Sequence, residues 1–190
     1  MRKRGCLFID ESNHGRYPEI VVGVHSFWAS DTEKKIERLP KIKSKIMLSK
    51  SVPQILNGRD FRHILLPEEY RDILGHIRRL KIVSFAELIK FYETLDKVFI
   101  DGEFPDAHLA QLEKLIHPIK IPKIEGFPDG DRRYNGLNTA DMIARKLFRG
   151  HYSVSPRRRD VNLSSYLNDY LITIKIEQYT PFFGLSVKHP

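Results

Sequence analysis

Three aspartates lie next to segments that the sequence predicts to be buried strands or an amphipathic helix. Asp10 and Asp101 each follow a short run rich in apolar residues, CLFI and KVFI, which is typical of a buried strand. Asp141 lies on the polar face of a predicted amphipathic helix at residues 137–148, one turn before Arg145. Because the carboxyl ends of neighbouring strands meet at one rim of a sheet, we expect the three side chains to lie close together.

Three carboxylates that meet repel one another, and each raises the pKa of the others. A divalent cation relieves this repulsion, and oxygen ligands are those that Mg²⁺ and Mn²⁺ prefer. We therefore predict that Asp10, Asp101 and Asp141 bind Mg²⁺ or Mn²⁺. Each residue also has an ordinary structural explanation. Asp101-Gly102 is a common turn pair, and Asp141 can pair with Arg145 on the helix surface, at about 0.3–0.5 kcal/mol.

The first two predicted strands, residues 6–11 and 19–28, are too close in the chain for a crossover. About seven residues separate them, and a helix between parallel strands needs a dozen or more. These residues include Ser12-Asn13-His14-Gly15, which is turn chemistry. We therefore expect an antiparallel hairpin at the start of the chain.

The remaining pattern alternates between helices and strands, as in an α/β domain. Residues 30–51 predict a short helix and then an irregular segment, and residues 129–131 read as a solvated Asp-Gly-Asp turn. Further helices are predicted at 67–80, 86–95, 105–116 and 137–148, and further strands at 81–85, 97–104, 119–124 and 171–177. Pro122 makes 119–124 an edge strand. No linker or repeat interrupts the sequence, so we expect one domain over residues 1–190.

The charge balance favours a polyanionic partner. The chain has 32 Lys and Arg against 24 Asp and Glu, a formal charge of +8. Lys and Arg concentrate at 34–50 and 157–159. A basic surface attracts nucleic acid, although a generally charged surface would give the same total. We expect a nucleic-acid partner and leave open whether it is DNA or RNA.

Cysteine content and hydropathy limit the cellular setting. Cys6 is the only cysteine, so the chain forms no intrachain disulfide and no cysteine-based zinc site. The first apolar run stops at Ile9, which is too early for a secretory signal. No stretch approaches the ~20 apolar residues that cross a bilayer. We expect a cytoplasmic protein that does not enter the membrane.

Two motifs resemble those of a known group of proteins. FIDESN at residues 8–13 and LNTADMIA at residues 137–144 are similar to the opening strand Ile-Asp-Glu-Ser-Gly and the late helix Leu-Gln-x-Ala-Asp of a large, mostly uncharacterised bacterial and archaeal family. That family has the RNase H-like fold. Asn13 replaces the usual glycine, and Asn138 replaces the usual glutamine.

The resemblance implies an RNase H-like mixed sheet that opens with an antiparallel hairpin and is flanked by helices. It also implies a carboxylate cluster that binds two Mg²⁺ or Mn²⁺ ions and hydrolyses phosphodiesters. Asp10, Asp101 and Asp141 match its acidic positions, whereas its usual helical glutamate has no unique match. The candidates for that glutamate are Glu11, Glu69, Glu87 and Glu103. We include Glu11 among the catalytic candidates, because two carboxylates after a buried strand are poor packing choices.

Together these features predict a metal-dependent nuclease or related phosphodiester-processing enzyme. Two alternatives stay open: a non-catalytic nucleic-acid-binding module, and a protein-interaction domain of a defence or mobile-element system. The sequence leaves undecided whether cleavage is internal or terminal and which oligomeric state the protein adopts.

Overall fold

The computed structural model describes residues 5–12, 19–39, 50–66, 77–92, 94–152, 169–175 and 178–179. The strands in this part of the chain are β1 (Gly5–Ser12), β2 (Glu19–Ser26), β3 (Asp60–Leu66), β4 (Leu95–Asp101) and β5 (Lys123–Phe127). The helices are α1 (Ala29–Thr32), α2 (Val52–Leu56), α3 (Ile77–Tyr92), α4 (Asp106–Ile116) and α5 (Asn135–Tyr152). A 3₁₀ turn, Gly130–Arg132, precedes α5.

The strands form one mixed sheet in the order β3-β2-β1-β4-β5. β1 pairs antiparallel with β2, which confirms the predicted hairpin, and β2 pairs antiparallel with β3. β4 lies parallel to β1 on its other side, and β5 lies parallel to β4. β1 is therefore a central strand, flanked by β2 and β4.

Helices cover both faces of the sheet, so both faces are apolar. Leu7 and Ile9 of β1 pack in the cluster that contains the buried residues of α3 and α4. Phe8 packs in the other cluster, with the buried residues of α2 and α5. Side chains alternate along a strand. Asp10 is therefore on the α5 face of β1, and Glu11 is on the α3 face.

The region from residue 77 to 92 differs from its prediction. A strand was expected at 81–85 and a second helix at 86–95, but residues 81–92 belong to the single helix α3, and Leu95 begins β4. Seven of its residues are in the core, namely Leu80, Ile82, Val83, Phe85, Ala86, Leu88 and Ile89. With so wide a buried face, a short apolar run has no helical period that would distinguish it from a buried strand. The part of the predicted 67–80 helix before residue 77 lies outside the described residues.

Three further differences involve the edges of the sheet. β3 was not predicted, because Arg62 and His63 interrupt its apolar pattern, yet it pairs with β2 over its whole length. Residues 171–177 were predicted as a strand. Within the described part, 171–175, Leu171 forms a bridge to His63 and 172–175 have no regular structure, while 176–177 lie outside the described residues. The predicted edge strand at 119–124 is found at Lys123–Phe127, beyond Pro122.

The helix α5 carries Asp141 and packs closely on β1. Leu137, Ala140 and Ala144 are in its buried face. A Cβ on Gly136 would lie 2.4 Å from the ring of Phe8, so the absence of a side chain there permits the close approach. Among the described helices, α5 included, none is both long enough and apolar enough to cross a membrane.

The substitution Gly136→Ala tests this packing, because the sign of the resulting change in stability depends on it. In an ordinary helix interior the change raises stability by about 1 kcal/mol. Here the added methyl group meets the Phe8 ring, and we expect a net loss of about 1–3 kcal/mol. Chemical denaturation of the two proteins measures the difference. A more stable variant would show that α5 is not held against β1 at this point.

Candidate metal centre

Asp10 and Asp101 lie at the same rim of the sheet. β1 and β4 are neighbouring parallel strands, and each aspartate comes near the carboxyl end of its strand. Both residues are in phase with Phe8 and Phe99, whose rings stack with centroids 4.8 Å apart. The two carboxylates therefore point to the α5 face of the sheet.

Asp141 reaches the same face from the helix. It follows Ala140 in the part of α5 that packs on β1, and it is 6% exposed, while Asp10 is 3% exposed. Buried carboxylates at this level need hydrogen bonds or counter-charges, because desolvation of an ion is costly.

The three aspartates interact electrostatically at Asp10. Its pKa is raised well above the ordinary value, first by burial and then by the negative charges of Asp101, Asp141 and Glu11. The N–H of Glu11 donates to Asp10 at 2.7 Å and partly offsets the effect. The structure thus brings the three predicted aspartates into one electrostatic cluster.

A second buried aspartate, Asp31, has its negative charge compensated by hydrogen-bond donors. Asp31 is 0% exposed, and Arg59 donates to both of its carboxylate oxygens, at 2.6 and 2.7 Å. The hydroxyl of Ser26 donates to it as well. Asp31 is thereby a satisfied structural residue, whereas Asp10 is surrounded by like charges.

Asp101 is bound to the turn before α5. The backbone N–H of Asp131 donates to its Oδ1 at 2.9 Å. The pKa of Asp101 is nevertheless raised to about 6, first by burial and then by the charges of Asp131, Glu11 and Asp141, while that hydrogen bond lowers it. A Cβ on Gly130 would lie 2.9 Å from the same Oδ1, so this turn fits tightly against the carboxylate.

Asp131 is the residue of this cluster that the sequence did not reveal. Its Asp-Gly-Asp segment was predicted to be a solvated turn, but Asp131 is half-buried and within electrostatic reach of Asp101. The side chain of Asn138 donates to its carbonyl oxygen at 2.8 Å. The available signal was an acidic turn placed directly before the helix that carries Asp141.

Arg145 supplies a positive charge on the α5 side of the cluster. Its Nε donates to Asp141 at 2.5 Å, the i,i+4 pair that the helix pattern allowed. The charges of Asp10 and Asp131 act on it as well. One guanidinium therefore partly balances three carboxylates.

The donor set fits a hard divalent cation, because carboxylate oxygens are the ligands that Mg²⁺ and Mn²⁺ prefer. In the described part of the chain, no three Asp, Glu, His or Cys side chains are already arranged as ligands of one ion. Asp141 is bound to Arg145 and Asp101 to the Asp131 N–H. A cation at this site would compete with the Arg145 guanidinium for the charge of Asp141.

Glu11 points away from the three aspartates, into the opposite face. Lys81 of α3 donates to it at 2.5 Å and lies 3.4 Å from the buried Glu19. Its charge still raises the pKa of both Asp10 and Asp101. Glu11 thus borders the cluster from the α3 face.

The remaining residues that the sequence analysis named are not in the aspartate cluster or are not described by the structure. Glu87 pairs with Lys90 and accepts from the hydroxyl of Tyr179 on the outer side of α3. Glu103 is exposed, two residues beyond Asp101. His14, Glu69 and the basic residues 157–159 lie outside the described part of the chain.

A mixed five-stranded sheet with a hairpin at its start and helices on both faces is the RNase H-like fold. The solved structures agree. RNase HII of Archaeoglobus fulgidus, in a complex with PCNA, is 16% identical with a TM-score of 0.57, over 88% of this chain and 91% of that one. Ribonuclease H2 of Pyrococcus horikoshii OT3 is 11% identical with a TM-score of 0.50, over 96% and 90%.

A third neighbour is Bst-RNase HIII in complex with Mn²⁺, which is 15% identical with a TM-score of 0.56. The match covers 77% of this chain and 52% of that one. At these identities the likeness shows the fold. No protein-family model and no curated protein match the chain, so its resemblance to the uncharacterised family stays a prediction.

The raised pKa of Asp101 predicts a pH-dependent stability in metal-free buffer. The pKa changes from 3.8 to about 6 on folding, so the folded chain holds the proton more tightly than the unfolded chain does. The free energy of unfolding therefore falls as the pH rises through this window, and it levels off above it. Asp101→Asn removes this titration and keeps an oxygen for the Asp131 N–H.

Denaturation in EDTA at a series of pH values measures the effect. The stability of the wild type relative to Asp101→Asn should decrease from pH of about 4 to about 6. A difference that is constant or increases across this window would contradict the assigned environment of Asp101.

Proposed function

We propose that this chain is a metal-dependent nuclease whose site is formed by Asp10, Asp101 and Asp141, with Glu11 at its border. The observation that supports this most is the state of Asp10, which is buried among like charges and has no direct cationic partner among the described residues. Uncompensated buried charge costs stability, and strongly perturbed carboxylates occur preferentially at functional sites.

Asp10, Asp101 and Asp141 would hold Mg²⁺ or Mn²⁺ through their oxygens. A bound ion would supply a Lewis acid for the phosphate oxygens and for the attacking water. The Asp131 N–H holds one oxygen of Asp101 in place. Arg145, once released from Asp141, would carry a guanidinium that can contact a phosphate in two places.

The partner that we propose is nucleic acid. The formal charge of +8 favours polyanions, and the fold is shared with proteins that are named as ribonucleases. Part of the basic segment lies beside the site: the N–H groups of Lys35 and Leu39 donate to the carbonyl oxygens of Arg133 and Arg132. Lys34, Lys35 and Arg38 are thereby held near the turn that binds Asp101.

A non-catalytic nucleic-acid-binding module is the second candidate. It is favoured by the ion pairs Arg145–Asp141 and Lys81–Glu11, which already neutralise two of the carboxylates. In such a module both pairs would persist and divalent ions would not bind.

Asp10→Asn and Asp141→Asn test catalysis, because each change keeps the shape and removes one ligand charge. Each variant should lose at least about a hundredfold in the cleavage of labelled DNA, RNA or hybrid strands in Mn²⁺. Mn²⁺ should raise the melting temperature of the wild type, since it binds the folded chain, and should do so far less in either variant.

Asp129→Asn is the matched control, because Asp129 is an exposed carboxylate that pairs with Arg38 outside the cluster. It should keep both the cleavage and the Mn²⁺-dependent shift. Cleavage by folded Asp10→Asn and Asp141→Asn would contradict the proposed site. A wild type that neither cleaves nor responds to Mn²⁺ would contradict the nuclease proposal and favour the non-catalytic nucleic-acid-binding module.

Nucleic-acid binding should fall steeply as salt increases, because each phosphate contact releases counterions. A variant with Lys34, Lys35 and Arg38 changed to Gln should bind more weakly. The slope of log affinity against log salt should decrease by about one per lost contact. The control is a variant with Lys114, in α4, and Lys120, shortly after α4, changed to Gln, and it should leave the slope unchanged. Affinities that do not depend on salt would argue against a nucleic-acid partner.

A further inference from the structure

A cavity of about 170 Å³ opens beside the carboxylate cluster, on the α3 side of the rim. Ile82 and Phe85 of α3, Ile100 of β4 and Phe104 form its apolar wall. The rings of Phe85 and Phe104 have centroids 6.0 Å apart. The cavity therefore offers flat aromatic surface within one side chain's reach of Asp101, which also lines it.

The polar residues of the cavity are mostly acidic. Glu11, Asp101 and Glu103 line it, together with His108 and with Lys81, whose ammonium is already paired with Glu11 at 2.5 Å. Such a lining repels phosphate. The part of a nucleotide that suits it is flat, uncharged and able to donate hydrogen bonds to carboxylates.

Gly102 connects the cavity with the metal centre. It has a φ of +92°, a conformation that favours glycine, and its N–H donates to Phe127 at 3.0 Å. This turn places Glu103 beside the cavity directly after Asp101. A nucleotide bound with its phosphate at the aspartates would thus have this cavity beside it.

We propose that the cavity binds one unstacked nucleobase that carries an exocyclic amino group, as in adenine, cytosine and guanine. This inference rests on the proposed function, which supplies a nucleic-acid strand at the aspartates. The base would lie against the ring of Phe104 and donate from its amino group to Glu103, since carboxylates accept from such groups. Thymine and uracil have no exocyclic amino group to donate.

The geometry selects unpaired strands. A base within a duplex is stacked and paired, and it has to leave the helix before it can enter a protein cavity. Single strands, ends and loops present bases without that cost. The preferred substrate class is therefore single-stranded nucleic acid containing amino-bearing bases.

Fluorescence anisotropy with labelled homopolymers in EDTA tests the proposal without any cleavage. The probes are DNA and RNA strands of about 12 nucleotides, containing only cytosine, only adenine, or only thymine or uracil, together with a blunt DNA duplex. Cytosine and adenine strands should bind about tenfold more tightly than thymine or uracil strands, as expected for one hydrogen bond to a charged group. The duplex should bind more weakly than either.

Glu103→Gln and Phe104→Leu separate the two contacts. Glu103 is exposed, so its change to Gln should leave folding intact and remove most of the preference among bases. Phe104→Leu keeps an apolar side chain of similar size but removes the ring, and it should weaken binding of all single strands. Asp96→Asn and Phe91→Leu, at the opposite end of the sheet, are the controls and should change neither property.

Equal affinities for all homopolymers, an unchanged preference in Glu103→Gln, or no binding of any single strand would overturn the proposal. Asp10 does not line the cavity, so Asp10→Asn should retain the base preference while losing the Mn²⁺ response and cleavage. A base preference without cleavage would contradict only the nuclease proposal. Cleavage by a wild type without base preference would contradict only the cavity proposal.

Discussion

The parallel alignment of β1 with β4 is the constraint on which the site depends. Parallel neighbours end at the same rim, so two segments that are about ninety residues apart in the chain deliver one aspartate each to one place. The antiparallel hairpin holds β1 in the middle of the sheet, and α5 then covers the rim from one face. Because β1 and β4 are buried on both faces, neither can slip by one residue without turning its aspartate to the other side.

Charge burial separates the structural acids of this fold from those of the candidate site. Asp31 is buried as deeply as Asp10, but Arg59 and Ser26 satisfy it, so it stabilises the chain as part of an ion pair. Asp10 instead lies among the negative charges of Asp101, Asp141 and Glu11, which raise its pKa. A cluster that costs stability in the absence of cations is an expected feature of a site selected for binding them.

The alternation of β1 gives the rim two chemically different sides. On the α5 side lie Asp10, Asp141 and Arg145, and Asp101 borders both sides because it also lines the cavity. On the α3 side lie Glu11, Lys81 and the aromatic cavity. Asp10 and Glu11 are adjacent in the chain, so their carboxylates interact although they point to opposite faces. The negative charge of Glu11 therefore raises the pKa of Asp10 while Glu11 pairs with Lys81.

The hairpin, the placement of Asp10 and Asp101 at strand ends, and the amphipathic helix that carries Asp141 can all be predicted from short stretches of sequence. These are local properties, namely loop length, apolar runs and a helical period, and residues near in the chain encode them. Three features could be known only from the folded chain: residues 81–85 are helical, β3 joins the sheet, and Asp131 reaches Asp101. Each depends on residues distant in the chain: the sheet that α3 covers, the edge that β2 offers, and the turn that α5 holds against β4. A short buried run has no period of its own, and an acidic turn has no fixed position, until those distant elements are in place.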